Sequence, residues 1–126
     1  MTVRISNALA AIAVRDIAAS TKWYAQLLGR DATATPMDGL QEWRFPEGGW
    51  VQLYEKADHA GHAAVTLVVA DISACRDWLT AAGYAGLRSM DSETASITIV
   101  PDPDGNQVVF AQSMNTATNP STKPAN

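Results

Sequence analysis

The sequence predicts an α+β chain built from two copies of a β-α-β-β-β module, and three observations carry that expectation. The first is a repeat. Val14-Arg15-Asp16-Ile17 returns as Val69-Ala70-Asp71-Ile72, an offset of 55 residues, and Trp23-Tyr24 returns as Trp78-Leu79. Self-similarity at a fixed offset marks a duplicated structural unit. The second is Ile97 to Ala111, a β-branched run, the turn Pro101-Asp102-Pro103-Asp104-Gly105-Asn106, and a second apolar run. Two prolines do not sit inside a central strand, and Asp102 and Asp104 can close the turn by accepting backbone N–H groups. The third is a hairpin of Gln41 to Phe45 and Trp50 to Glu55 around Pro46-Glu47-Gly48-Gly49.

In chain order, Ala8 to Val14 is a short apolar run and reads as a strand. Asp16 follows where a carboxylate can cap a helix. Ile17, Ser20, Trp23, Tyr24, Leu27 and Leu28 recur at three- and four-residue spacing, an apolar helical face that Gly29 ends. Trp23 and Tyr24 are expected to pack between helix and sheet. Ala32 to Thr35 is a weak strand before a turn over Pro36 to Gly39, and the aromatic hairpin comes next. Lys56 to Gly61 is a polar linker, after which the pattern restarts. His62 to Ala70 is a strand, Asp71 opens a second helix closed by Gly83, and Trp78 is expected on it against the sheet. Ala85 to Met90, Ala95 to Val100 and Gln107 to Gln112 complete the second copy. The modules span about residues 8–56 and 62–112, one domain over 1–112. Residues 113–126, rich in Ser, Thr, Asn and Pro, read as a disordered tail.

A chain of 126 residues is long enough for a core without disulfides, and Cys75 is the only cysteine. A reducing, cytoplasmic setting is therefore expected. Net charge of −4 and a pI near 4.9 make nucleic acid and anionic membranes poor partners and a neutral or cationic small molecule a better one. No apolar run reaches the roughly 18 residues of a membrane span, and Arg4 and Asn7 interrupt any signal-peptide core.

If the hairpin closes through a four-residue loop, Phe45 pairs with Trp50, Trp43 with Gln52 and Gln41 with Tyr54. Paired residues share a face. One face then carries Trp43, Phe45, Trp50, Gln52 and Tyr54, and the other Val51 and Leu53.

The doubled β-α-β-β-β order, Val-Arg-Asp-Ile before the first helix, Trp-Tyr and Leu-Leu-Gly along it, and Asp102-Pro103-Asp104-Gly105-Asn106 together resemble the vicinal oxygen chelate superfamily. That group holds glyoxalase I, extradiol dioxygenases, fosfomycin-resistance transferases and bleomycin-binding resistance proteins. The resemblance covers about residues 8–112. It implies curved mixed sheets around a ligand cavity, and commonly a homodimer. Metal-using members place ligands near the start of the first strand and on the last strand of each module. The matching positions here are Leu9, Gln52, Ala64 and Val109, and only Gln52 has a donor atom. The chain therefore resembles a member lacking the metal ligands, and no cofactor is expected. His62, two residues before Ala64, leaves an atypical metal site open, with a solvated strand-end histidine as the plainer reading.

With those positions marking the inward face, alternation places Leu9, Ala11 and Ala13, Trp50, Gln52 and Tyr54, Ala64, Thr66 and Val68, and Gln107, Val109 and Ala111 on the lining. Small side chains leave volume for a ligand, although a filled core or a dimer interface would use the same pattern. Two functions stay open. One is a binding protein that sequesters an aromatic or cationic ligand between Trp43, Phe45, Trp50 and Tyr54. The other is an enzyme of the same superfamily, a lyase, isomerase or dioxygenase-like protein. It would work through Glu42, Tyr54, Glu55 or His62, or through an atypical metal site, although Glu42 and Glu55 also read as solvated strand-edge charges.

Overall fold

Both helices begin on an aspartate in the computed structural model, which describes residues 2–113. Asp16 Oδ1 accepts from Ala19 N at 3.1 Å and Asp71 Oδ1 from Ala74 N at 3.0 Å, satisfying N–H groups that a first turn leaves open. The repeated Asp-Ile pair is thus a repeated helix cap. Two compact units follow from it. Among the described residues the first comprises 2–63 together with Asp102–Asn106, and the second comprises Ala64–Pro101 and 107–113.

In the first unit, β1 (Leu9–Val14), α1 (Ile17–Leu28), β2 (Ala34–Met37), β3 (Leu40–Arg44) and β4 (Trp50–Glu55) form a four-stranded sheet in the order β1-β4-β3-β2. β1 runs parallel to β4, and the other pairs are antiparallel. α1 buries Ser20, Tyr24 and Leu27 against the sheet, opposite Ile12, Val14, Val51 and Leu53. Gly29, at φ 76°, ends it with an N–H bond to the Ala25 carbonyl. Pro36 and Met37 belong to β2, contrary to the expected turn there, because an edge strand tolerates a proline. The reversal is made by Asp38 and Gly39.

In the second unit, β5 (Ala64–Val68), α2 (Ile72–Ala81), β6 (Arg88–Asp91), β7 (Ala95–Pro101) and β8 (Gln107–Ser113) repeat the arrangement as β5-β8-β7-β6. α2 buries Ile72 and Leu79. Trp78, expected against the sheet, is 43% exposed and lies beside Tyr84 with ring centroids 5.6 Å apart. It sits one helical step off the Ile72–Leu79 stripe, which leaves it on the flank of α2. Ser113 still belongs to β8, while the rest of the segment read as a disordered tail, 114–126, lies outside the described residues.

The turn Asp102–Asn106 is bound into the first unit by buried hydrogen bonds. Asp102 Oδ1 accepts from the N–H of Asp104 (2.9 Å) and Asn106 (2.8 Å), and its Oδ2 accepts from Tyr24 Oη at 2.8 Å. Asn106 Oδ1 accepts from Gly61 N (3.0 Å) and Ala63 N (2.9 Å), while its Nδ2 donates to the Ala13 carbonyl (3.0 Å) and to Asp102 Oδ2 (2.9 Å). Asn106→Ala strands two N–H groups, a carbonyl and part of a carboxylate. It is expected to lower unfolding free energy by about 2–4 kcal/mol, measured by urea denaturation.

Candidate ligand-binding site

The hairpin of β3 and β4 decides what the open face of the first sheet presents. Its register is Leu40 with Tyr54, Glu42 with Gln52, Trp43 with Val51 and Arg44 with Trp50. This is one residue away from the expected pairing, and a one-residue slip exchanges faces for every side chain of a strand. Trp43 is therefore fully buried on the α1 side, its ring 6.3 Å from Tyr24 and its indole N–H donating to the Arg30 carbonyl at 3.0 Å. Phe45, also expected on the ligand face, lies half-buried beneath the Arg30 guanidinium at 5.5 Å. Neither side chain joins Trp50. The loop explains the slip. Gly48 N donates to the Phe45 carbonyl and Phe45 N to the Gly49 carbonyl, so Phe45 lies in the loop. Two consecutive glycines at φ 99° and 75° make that extra residue possible.

On the open face stand Trp50, Gln52 and Tyr54 of β4, paired with Leu9, Ala11 and Ala13 of β1 on one side and with Arg44, Glu42 and Leu40 of β3 on the other. Glu42 is only 3% exposed, contrary to the expectation of a solvated edge charge. Its Oε1 accepts from Arg44 Nε (3.0 Å) and Nη2 (2.8 Å), and its Oε2 from Gln52 Nε2 (2.7 Å). The Gln52 amide, followed by the Arg44 guanidinium, holds the Glu42 carboxyl below the usual glutamate range. Arg44 in turn lies over the Trp50 ring, 4.4 Å from its centroid. Glu55 takes a different part. Its carboxylate accepts from Ile17 N at 3.3 Å, at the start of α1.

Beside this cluster is an open groove of about 340 Å³, floored by Ala11 and Ala13 and lined by Tyr54, Asp58, His59, His62 and Ala63. A short 3-10 turn, Ala57–His59, carries two of these residues. The small floor was legible in the alternation of β1. The part of Asp58 and His59 was not, because a polar linker has no periodicity. Arg44 was missed, and Glu42, named as an acid–base candidate, was left off the ligand face, both through the register alone; Gly48-Gly49 was the signal for it.

The second sheet carries the other expected lining residues on the face away from α2. Ala64 pairs with Gln107, and Thr66 with Val109, which in turn pairs with Ile99. Of the positions that the resemblance matches to metal ligands, Leu9, Ala64 and Val109 have no donor, and the Gln52 amide is committed to Glu42. No group of three or more His, Cys, Asp or Glu side chains comes together among the described residues. These residues do not fit a bound metal ion.

The glyoxalase/bleomycin resistance protein/dioxygenase superfamily model matches residues 6–110. The chain belongs to that superfamily. A glyoxalase/bleomycin resistance protein from Catenulispora acidiphila is 31% identical, with a TM-score of 0.73 over 84% of this chain and 96% of that one. TnmS3, an antibiotic-binding protein from a Streptomyces species, has a TM-score of 0.74 at 17% identity, covering 90% of this chain and 99% of that one. The oxidase ChaP-H2 has a TM-score of 0.68 at 14% identity, covering 87% and 94%. At those last two identities the likeness is one of fold. No curated protein matches the sequence.

A glutamate held below its ordinary range adds stability above the unfolded pKa, and that contribution is lost as pH falls through the folded value. The stability advantage of the parent over Glu42→Gln is therefore expected at neutral pH. It should shrink on acidification below the ordinary glutamate range, as measured by urea denaturation across pH.

Proposed function

We propose that this superfamily member binds a small molecule without a metal ion and sequesters it, the ligand being aromatic or cationic. The observation that carries the reading is the open face of the first sheet. An aromatic plate, Trp50, and a paired polar platform, Glu42 with Gln52, adjoin a groove floored by alanines. Such a combination of apolar volume with a few placed polar groups suits ligand binding. TnmS3, similar in fold, is an antibiotic-binding protein, which supports a small-molecule ligand. Catalysis finds less support. Two of the acid–base candidates are engaged in hydrogen bonds, Glu42 with Arg44 and Gln52 and Glu55 with Ile17 N.

A broad panel of aromatic and cationic compounds should include ligands that quench tryptophan fluorescence. Trp50→Ala is expected to weaken their binding by about 1–3 kcal/mol, the worth of a lost aromatic wall. Trp43→Phe, which empties part of the core, should lower stability and leave affinity of the folded protein little changed. Unaltered affinity in Trp50→Ala, or no binder in the panel, contradicts this reading. Elemental analysis after dialysis should find no stoichiometric transition metal.

The protein is further proposed to work as a homodimer in the cytoplasm. Val68, Ala111, Ile97 and Met90 form one apolar row across all four strands of the second sheet, with Val68 68% and Met90 54% exposed. A row of this kind gains from being covered. Sedimentation should give twice the chain mass, and a concentration-independent monomer would refute the dimer.

A further inference from the structure

The Arg44 guanidinium occupies a position whose other half is built into the sheet. Its Nε and Nη2 both donate to Glu42 Oε1, and its plane lies against Trp50 at 4.4 Å. The remaining carboxylate oxygen accepts from Gln52. The two partners differ in their surroundings. The Glu42 side chain is 4% exposed, whereas that of Arg44 is 44% exposed at the end of a long, flexible stem. A carboxylate withdrawn from water needs a cation with donors. The chemistry does not require that cation to be the chain's own.

We propose that Glu42, Gln52 and Trp50 form a subsite for a planar, hydrogen-bond-donating cation, a guanidinium or amidinium group of the ligand, and that Arg44 is its resident placeholder. Arg44 swings into water when the ligand enters. The inference rests on reading this face as the ligand site, and it narrows the ligand class. A flat cation matches both halves: two N–H donors reach one carboxylate, and its face stacks on the indole. A quaternary ammonium has the charge but no donor, and a neutral urea has the donors but no charge. The neighbouring strand positions lead from Gln52 to Ala11 and from Tyr54 to Ala13, so the rest of such a ligand would lie over the alanine floor of the groove. Self-occupancy lowers apparent affinity by the fraction of time the subsite stands open.

Phenylguanidine and methylguanidinium are the probes, with phenylurea and tetramethylammonium as controls. Arg44→Ala removes the placeholder and keeps the carboxylate, the amide and the indole. It should bind phenylguanidine about tenfold or more tightly than the parent, because a competitor at high effective concentration has gone. Phenylurea should gain nothing. Methylguanidinium should raise the melting temperature of Arg44→Ala and not that of the parent, and adding Glu42→Gln should abolish both effects. If Arg44→Ala folds only with a cation present, refolding in methylguanidinium becomes the readout. Arg44→Lys, which keeps charge but loses the planar fork, then supplies the affinity comparison. The inference is overturned if neither Arg44 variant binds phenylguanidine more tightly than the parent, or if tetramethylammonium rescues equally well. The broader reading fails separately. A guanidinium or amidinium ligand whose binding weakens in Trp50→Ala but does not tighten in Arg44→Ala refutes this subsite alone. A panel without binders, alongside methylguanidinium rescue, refutes sequestration and leaves the subsite.

Discussion

Asn106 is the constraint on which the first unit depends. One side-chain amide makes four hydrogen bonds to three separate stretches, namely β1, the segment before β5, and its own turn. Each partner would otherwise be a buried polar group without a mate, a costly condition in a low-dielectric interior. Two of the residues it fastens, Ala13 and Ala63, also line the groove. The groove therefore takes part of its shape from behind, through a residue that does not line it. Gly61 belongs to the same constraint. A Cβ there would stand 2.6 Å from the Asp104 carbonyl oxygen, and the residue holds φ 93°, so glycine alone lets the turn approach. Tyr24 completes the arrangement from the helix side. Its burial and the Asp102 charge both favour the protonated phenol, which lets it donate to Asp102 without competing for the amide.

Much of this was legible in the sequence. The repeated Asp-Ile pairs mark helix caps, the spacing of Ser20, Tyr24 and Leu27 marks the buried stripe of α1, and the alternation in β1 and β4 marks which side chains share a face. Those signals are local and periodic. The turn at Asp102–Asn106 was legible as a turn, yet its reach to Tyr24, Gly61 and Ala13 spans 45 to 93 residues of chain and leaves no periodic trace. The register of β3 is the instructive failure. Glu42 and Arg44 alternate with Trp43, which belongs on the helix side with Val51 and Leu53. Counting loop residues gave the opposite answer, because Phe45 is in the loop and the Gly48-Gly49 pair carries the extra step.

That single step changes the chemical character of the face. With Trp43 and Phe45 exposed it would be an aromatic wall with one amide. With Glu42 and Arg44 there it is a charged pair whose guanidinium lies over one indole. The overall charge of −4 then says little about what binds, since the nearest acid is matched by its own cation. Local pairing acts at about 3 Å, whereas the field of distant charges is screened over roughly 8–10 Å in physiological salt.

The positions that the resemblance matches to metal ligands carry a different set of contacts here. Leu9 stands beside Trp50 on the sheet and Gln52 beside Ala11, so the place of a first-strand donor is taken by an aliphatic chain next to an aromatic plate. Gln52, the one side chain with a donor atom among those positions, gives its amide N–H to Glu42 and fixes that carboxylate. A metal site concentrates negative donors around a positive ion. Here the sheet sets one carboxylate oxygen and an indole face against a guanidinium. On the proposed reading, the carboxylate and the indole that these strands present select a ligand by shape and hydrogen bonding.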